Sequence, residues 1–379
     1  MNQEQYDNIR PFNDQEAAEA LSRISKNPLL KDIHDFIFKG GDFEQFKLLL
    51  ASMKGVDDFQ EKIMAKVVAN IVNGTSKGLS YDGLDNIKSD KKYLFVSNHR
   101  DIILDPAIIQ LIFYSNGLTA TEIAVGDNLV KAPFIEDLIR SNRMIKVSRG
   151  GTPRDLYQAS VILSEYIRQQ ISSDKSSIWI AQRNGRTKDG IDKTSQGLLK
   201  MFDMSGSRDF VESFSELNIL PVSISYEYES CDFLKAKELY YTRRGKYIKS
   251  ENEDTNSMIT GMTQNKGRIY YYFGNPISKN ELEFCANLDK NERYKSLAEL
   301  MDKKIISNYK LWSNNYIAYD ILSNTLLYLD KYSVEEKDAF VEYMNKGLSA
   351  ICKMDSNIDI SELKEIFLSI YANPINSLA

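Results

Sequence analysis

The chain contains two histidines, and the stretch FVSNHRDIILDPAII (95–109) sets one of them, His99, directly behind the apolar run Tyr93-Leu94-Phe95-Val96. Asp101 and Asp105 follow two and six positions later. Imidazole is the side chain best suited to accept a proton near neutral pH, and a nearby carboxylate fixes its tautomer and its direction. The spacing therefore offers a general base at the end of a strand, with two acids that can orient it. A histidine hydrogen-bonded structurally at a strand end fits the same spacing. Ser97 raises a Ser–His hydrolase, but no G-x-S-x-G turn surrounds it and it lies within the strand end. His34, inside LLKDIHDFIF, reads as structural.

A second set of chemically capable residues lies between 140 and 200, where twelve basic residues face five acidic ones in a chain of net charge −5. Scattered charge of this kind usually decorates solvated helix faces. Arg149 and Arg186 differ because each follows a β-like run, MIKV and SIWIA. A planar guanidinium there can bind phosphate oxygens in two-pronged fashion or pair structurally with Asp or Glu. Thr187 can add a hydroxyl contact. Asn184-Gly185 is a strong turn dipeptide. Lys131 stands before an expected helix, where it can meet a phosphate, a lipid surface or solvent.

These residues need a scaffold, and the patterning supplies one. Short apolar runs at 93–98, 122–126, 144–147, 177–181, 219–225 and 268–273 alternate with helix-like stretches at 105–115, 129–140, 153–173 and 194–204. Such alternation predicts an α/β fold with a largely parallel central sheet flanked by helices. In such sheets ligands bind beyond the carboxyl ends of the strands, where His99 falls. Residues 1–80 read as a helical N-terminal arm, 81–278 as the α/β domain and 279–379 as a helical C-terminal extension. Three separated cysteines without a C-x-x-C pair point to a reducing compartment and away from a zinc site, and two histidines exclude a multi-histidine metal centre. The polar, acidic start carries no signal-peptide pattern, and no run of 18 apolar residues is present to span a membrane. The acidic balance argues against general nucleic-acid binding. No dinucleotide or P-loop glycine pattern occurs.

Four segments taken in order resemble the glycerolipid acyltransferase family, the glycerol-phosphate and lysophosphatidic-acid acyltransferases. VSNHRDIILDP resembles its first motif, a catalytic His followed by an Asp and often Pro. APFIEDLIRSNRMIKVSRGG (132–151) looks like the second block, IWIAQRNGRTKDG (178–190) like the third, and ILPVSISYE (219–227) like the fourth. GRIYYYFGNPIS is similar to the strand that closes the domain, so the resemblance covers about residues 90–278. It departs from the pattern twice. The five residues between His99 and Asp105 are one more than usual, and Asn184 stands where the third block carries Glu.

The resemblance implies an O-acyltransferase that moves a fatty acyl group from an acyl thioester, on coenzyme A or an acyl carrier protein, to a hydroxyl of a glycerol-phosphate or lysophospholipid-like acceptor. It implies His99 as base oriented by Asp105, since Asp105-Pro106 matches the family's Asp-Pro, with Asp101 as the competing acid. Arg149, Asn184, Gly185, Arg186 and Thr187 become the acceptor-binding set. No cofactor or metal is expected beyond the thioester co-substrate. Backbone N–H groups near the start of the helix after Asp105 are the expected oxyanion donors. With greasy substrates and no spanning helix, the protein is expected to be cytoplasmic and bacterial, docked peripherally at the inner face of the membrane. The basic segment 140–200 would meet anionic lipid there, while the helix 106–116 either dips in or packs on the core. Two other readings remain: a lipid- or acyl-carrier-binding protein that has lost catalysis, and a thioesterase or esterase.

Overall fold

A computed structural model describes residues 3–38, 40–130, 132–250 and 252–378. Its centre is a seven-stranded sheet in the order β1-β7-β6-β2-β5-β3-β4. The strands are β1 (Ser76–Asp82), β2 (Leu94–Ser97), β3 (Glu122–Gly126), β4 (Met144–Val147), β5 (Ile178–Ala181), β6 (Ile219–Tyr226) and β7 (Gly267–Phe273). Neighbours pair in parallel except β6 with β7, so β7 and its parallel partner β1 run against the rest. All six strands expected from the sequence are present. β1 was not expected: its sequence SKGLSYD carries one glycine and mostly exposed side chains, as suits an edge strand. The boundary read at 80–81 therefore falls inside a strand.

The central strands β2 and β6 are buried along their whole length, which is why they read as nearly continuous apolar runs. Their side chains alternate between two cores. Leu94, Val96, Ile178 and Ile219 face one side with the helices Pro153–Ser172, Gln196–Asp203 and Lys290–Ile306. Phe95, Trp179, Leu220, Val222 and Ile224 face the other. There Ile108, Ile109, Ile112 and Phe113 seat the helix Leu104–Ser115 on the sheet, with Phe95 and Phe113 edge-to-face at 5.3 Å. Each such side chain contributes about 1.5–3 kcal/mol on full burial. This packing fixes the first turn of the helix, and with it Asp105. The helix 106–116 of the membrane expectation thus packs on the core.

The flanking helices are continuous with this body. Leu21, Ile24, Leu50 and Phe59 share a core with Phe134 of the helix Pro133–Ser141, and Arg23 pairs with Asp137 at 2.6 Å. The C-terminal helices Ser313–Ser323, Val334–Met354 and Ile360–Leu378 form a further core with the helix Asp232–Thr242. Tyr371 from the last helix donates to Asp232 at 2.6 Å and accepts the Glu229 N–H at 3.0 Å, tying the tail to the loop after β6.

Candidate active site

The site is built where β2 ends. Ser97, the last β2 residue, is fully buried; its hydroxyl donates to the Asn98 carbonyl and accepts the Trp179 indole N–H at 3.0 Å. It is a structural link, not a nucleophile. Asn98 then clamps β2 to β6: its side chain accepts the Ile224 N–H at 2.8 Å and donates to the Ile224 carbonyl at 2.9 Å. The chain leaves the sheet at His99 from a fixed point.

His99 Nδ1 lies 2.8 Å from Asp105 Oδ2. The carboxylate is fully buried and the imidazole keeps 14 % of its side chain exposed. Asp105 is surrounded by donors: the same Oδ2 accepts the N–H groups of Arg100 at 2.6 Å and Asp101 at 2.9 Å, and Oδ1 accepts the Tyr226 hydroxyl at 2.9 Å. Burial, then Asp105 and Tyr271, push the Tyr226 phenol well above its ordinary value, so it stays a donor. With every neighbour donating to Asp105, the proton of the His99–Asp105 bond sits on Nδ1, which leaves the Nε2 lone pair free. The Trp179 ring meets the imidazole edge-on at 5.8 Å.

Asp101 has a different task. Its Oδ1 accepts the Ile103 and Leu104 N–H groups at 2.9 and 2.8 Å, and its Oδ2 accepts the Ser230 hydroxyl. It caps the helix that carries Asp105 and makes no bond to the histidine. The oxyanion donors expected from the start of the helix after Asp105 are not free there: Pro106 has no N–H, and the Ala107 N–H donates to the Ile103 carbonyl at 3.2 Å.

Arg100, beside the histidine, is a large buried cation that sequence reasoning passed over. Its guanidinium reaches Asp192 at 2.5 Å and Glu229 at 3.4 Å. Lys235, equally buried, bonds Glu229 at 2.5 Å and the Arg100 carbonyl at 2.8 Å. The signal was the charge directly after His99; its partners lie 92 and 129 residues away, beyond any spacing rule.

The expected acceptor-binding residues divide. Thr187 turns inward: its N–H donates to the His99 carbonyl at 2.7 Å and its hydroxyl to Asp192 at 2.6 Å, so the hydroxyl is not offered to a ligand. Gly185 adopts φ +76°, the left-handed turn conformation that favours glycine, and Asn184 is exposed beside it. Gly185 serves the turn. Arg186 is buried, and its Nη1 has no hydrogen-bond partner. Arg149 lies over Gly126 at the end of β3, where any Cβ would collide with its Nε, while its N–H donates to Asp127 at 3.1 Å. Both arginines act electrostatically toward Asp254 on the helix Glu253–Thr263. Burial opposes, but Lys249, Arg186 and Asn128 hold the Asp254 carboxyl below the usual carboxylate value. That helix, unread in the sequence, crosses over the site so closely that a side chain at Gly261 would strike Asp101. Lys131 lies outside the described residues.

The wider basic segment is less free than its composition suggests. Arg143 pairs with Asp57, Lys146 with Glu136, Arg168 with Glu216 and Lys188 with Glu238. Among the described residues no three His, Cys, Asp or Glu side chains gather as a metal site, and no helix is long and apolar enough to cross a membrane.

Residues 78–225 match the family model described as Acyltransferase. Among solved structures, the chain is similar to the 1-acyl-sn-glycerophosphate (LPA) acyltransferase PlsC from Thermotoga maritima, at 14 % identity and a TM-score of 0.39, over 74 % of this chain and 91 % of that one. No curated protein matches.

Proposed function

We propose, from the match of residues 78–225 to the acyltransferase family model, an O-acyltransferase that carries a fatty acyl group from a thioester of coenzyme A or an acyl carrier protein to a hydroxyl of a phosphate-bearing glycerolipid, such as glycerol phosphate or a lysophospholipid. The observation that carries the reading is the His99–Asp105 pair at 2.8 Å, with Asp105 held by three further donors and Nε2 left open. His99 Nε2 takes the acceptor hydroxyl's proton as its oxygen attacks the thioester carbonyl. The tetrahedral intermediate collapses, the C–S bond breaks, and the proton on His99 passes to the departing thiolate. No acyl-enzyme forms in this scheme.

Arg186 supports a phosphate on the acceptor. An unpartnered guanidinium N–H in a buried position is costly, and an anion arriving there satisfies it. Arg149, on the neighbouring strand pair, would flank the same group. Thr187 and Asn184 support the loop in this scheme and do not contact the acceptor.

The test is a panel of acceptors with one radiolabelled long-chain acyl thioester, read by lipid chromatography. Label should move into an ester of a phosphorylated acceptor, and His99→Ala should fold yet lose transfer. Thiol release without any acceptor would point to a thioesterase, and lipid binding without release to a non-catalytic protein.

A further inference from the structure

Away from His99, a cleft of about 470 Å³ opens between the edge strand β1 and the start of the helix Ser313–Ser323. Lys77, Arg268, Lys310 and Lys331 line it beside Trp312 and Tyr316, with no acidic residue in the lining. Arg268 is engaged by Glu227 at 3.0 Å and Lys331 by Asp330 at 3.0 Å. Lys77 and Lys310 have no ion pair among the described residues; Lys310 stands over the rings of Tyr270 and Trp312 at 4.9 and 5.1 Å. Glu336 lies near enough to act on Arg268 and Lys77, so Lys310 is the least neutralised of the four cations in a chain of net charge −5.

The rim of the cleft is apolar and held rigid. Leu326, Leu327 and Leu329 are 66 %, 64 % and 51 % exposed on one short loop. The loop is not frayed, because buried Asp320 accepts the Leu327 N–H at 3.0 Å, the Tyr328 N–H at 3.1 Å, the Thr325 hydroxyl at 3.1 Å and the Tyr332 hydroxyl at 2.9 Å. Tyr328, between the leucines, packs on Tyr316 of the cleft at 5.1 Å, so rim and cleft form one surface. Isolated exposed leucines are ordinary, but three on a pinned loop beside unpaired lysines are not.

We propose that this surface docks the protein on an anionic lipid bilayer, with lipid phosphates in the Lys77–Lys310 cleft and the 326–329 leucines in the acyl boundary. Charge complementarity and the apolar rim favour this occupant over a soluble anion, which would leave the leucines in water. Beside the exposed apolar residues Leu29, Phe36 and Leu48 near the N-terminus, Lys31 and Lys47 are paired with Asp35 and Glu44. The direction also fits. β1 and β7 run against β2, so Lys77 and Arg268 lie at the sheet end where His99 sits. Three strand spacings of ~4.8 Å put that edge about 14 Å from β2.

The experiment is co-sedimentation with vesicles of two parts phosphatidylcholine to one part phosphatidylglycerol, against phosphatidylcholine alone. Wild-type protein should bind the anionic vesicles. Lys77→Ala/Lys310→Ala should bind about 30-fold more weakly, at roughly 1 kcal/mol per cation. Leu326→Ser/Leu327→Ser should lose at least about tenfold, and a control, Arg154→Ala/Lys175→Ala, should stay within about threefold. Wild-type protein that ignores the vesicles overturns the proposal. So do cleft and loop variants that bind like wild type, or a control that falls equally. Inorganic phosphate binding to the cleft without vesicle binding would assign it to a soluble anion and also overturn it. Because His99→Ala should dock like wild type, failure of the acyl-transfer reading leaves this result standing.

Discussion

Replacing Asp105 by Asn tests the proposed mechanism most sharply, because the geometry predicts both a size and a direction. Two backbone N–H groups, from Arg100 and Asp101, converge on Oδ2, so an amide at 105 must turn its oxygen there. The same oxygen then still accepts His99 Nδ1–H, and the tautomer is kept. The amide NH2 faces Tyr226, whose hydroxyl must become an acceptor and can donate instead toward Tyr271, 3.3 Å away. What is lost is the charge behind the His99 bond. Hydrogen bonds to charged groups are worth about 1.5–3 kcal/mol, which is roughly a 10- to 200-fold fall in kcat. Asp105→Ala differs: it strands two buried N–H groups as well, so it should lose more activity and about 2–4 kcal/mol of stability. The assay is acceptor-dependent thiol release under saturating thioester, with a denaturant melt of each variant. If Asp105→Asn keeps kcat within about threefold of wild type, the carboxylate does not support a base at His99.

Other consequences can be measured on the same preparations. Arg186→Ala should raise KM for a phosphorylated acceptor by roughly 10- to 200-fold through loss of a charge-assisted contact, and leave a phosphate-free hydroxyl acceptor nearly unaffected. Arg100→Met leaves Glu229 with Lys235 and leaves buried Asp192 with only the neutral donors Asn98 and Thr187, and should cost about 3–5 kcal/mol in denaturant unfolding. Glu122 is buried against the Tyr166 hydroxyl at 2.7 Å, and burial pushes its carboxyl from 4.5 up to about 7. The folded state therefore holds more protons between those values, and stability falls as pH rises through that window. Glu122→Gln should be more stable than wild type by up to about 3 kcal/mol near pH 8 and equal to it near pH 4, by denaturant melts at both.

The centre of the sheet was legible because β2 and β6 are buried on both faces, and β5 nearly so, and they appear as apolar runs between helices. The edge strand β1 was not, since a strand with one solvated face and a glycine carries no such run. The helices Asp232–Thr242 and Glu253–Thr263 were unread for a related reason: neither carries a broad apolar stripe. The first buries Asp232, Lys235 and Glu238 alongside Ala236 and Tyr240, and the second only Ser257 and Gly261. At the site, local order placed His99 beside two candidate acids, and the Asp-Pro resemblance was needed to favour Asp105 over Asp101. Tyr226 stood in a quoted strand, yet its contact with Asp105 spans 121 residues. Thr187 shows the opposite failure: position in a motif suggested a ligand contact, whereas the fold spends the hydroxyl on Asp192.

The five-residue connection between His99 and Asp105, one longer than in the family pattern the sequence resembles, gives the clearest view of how the site is held. A longer connection should let the acid drift from the imidazole, and a pair meant to hold one tautomer cannot allow that. Here both ends of the connection are fixed independently. Asn98 locks the chain to β6 just before His99, while Ile108, Ile112 and Phe113 lock the helix that carries Asp105. The added length is absorbed between them by Asp101, which gathers the Ile103 and Leu104 N–H groups and is itself held by Ser230 from the loop after β6. Asp105 then reaches back to the Arg100 and Asp101 N–H groups and closes the turn from the other side. The two aspartates thus divide one problem, Asp101 shaping the loop and Asp105 facing the ring. Asp101→Asn should accordingly lower stability with little change in kcat, whereas Asp105→Asn should do the reverse.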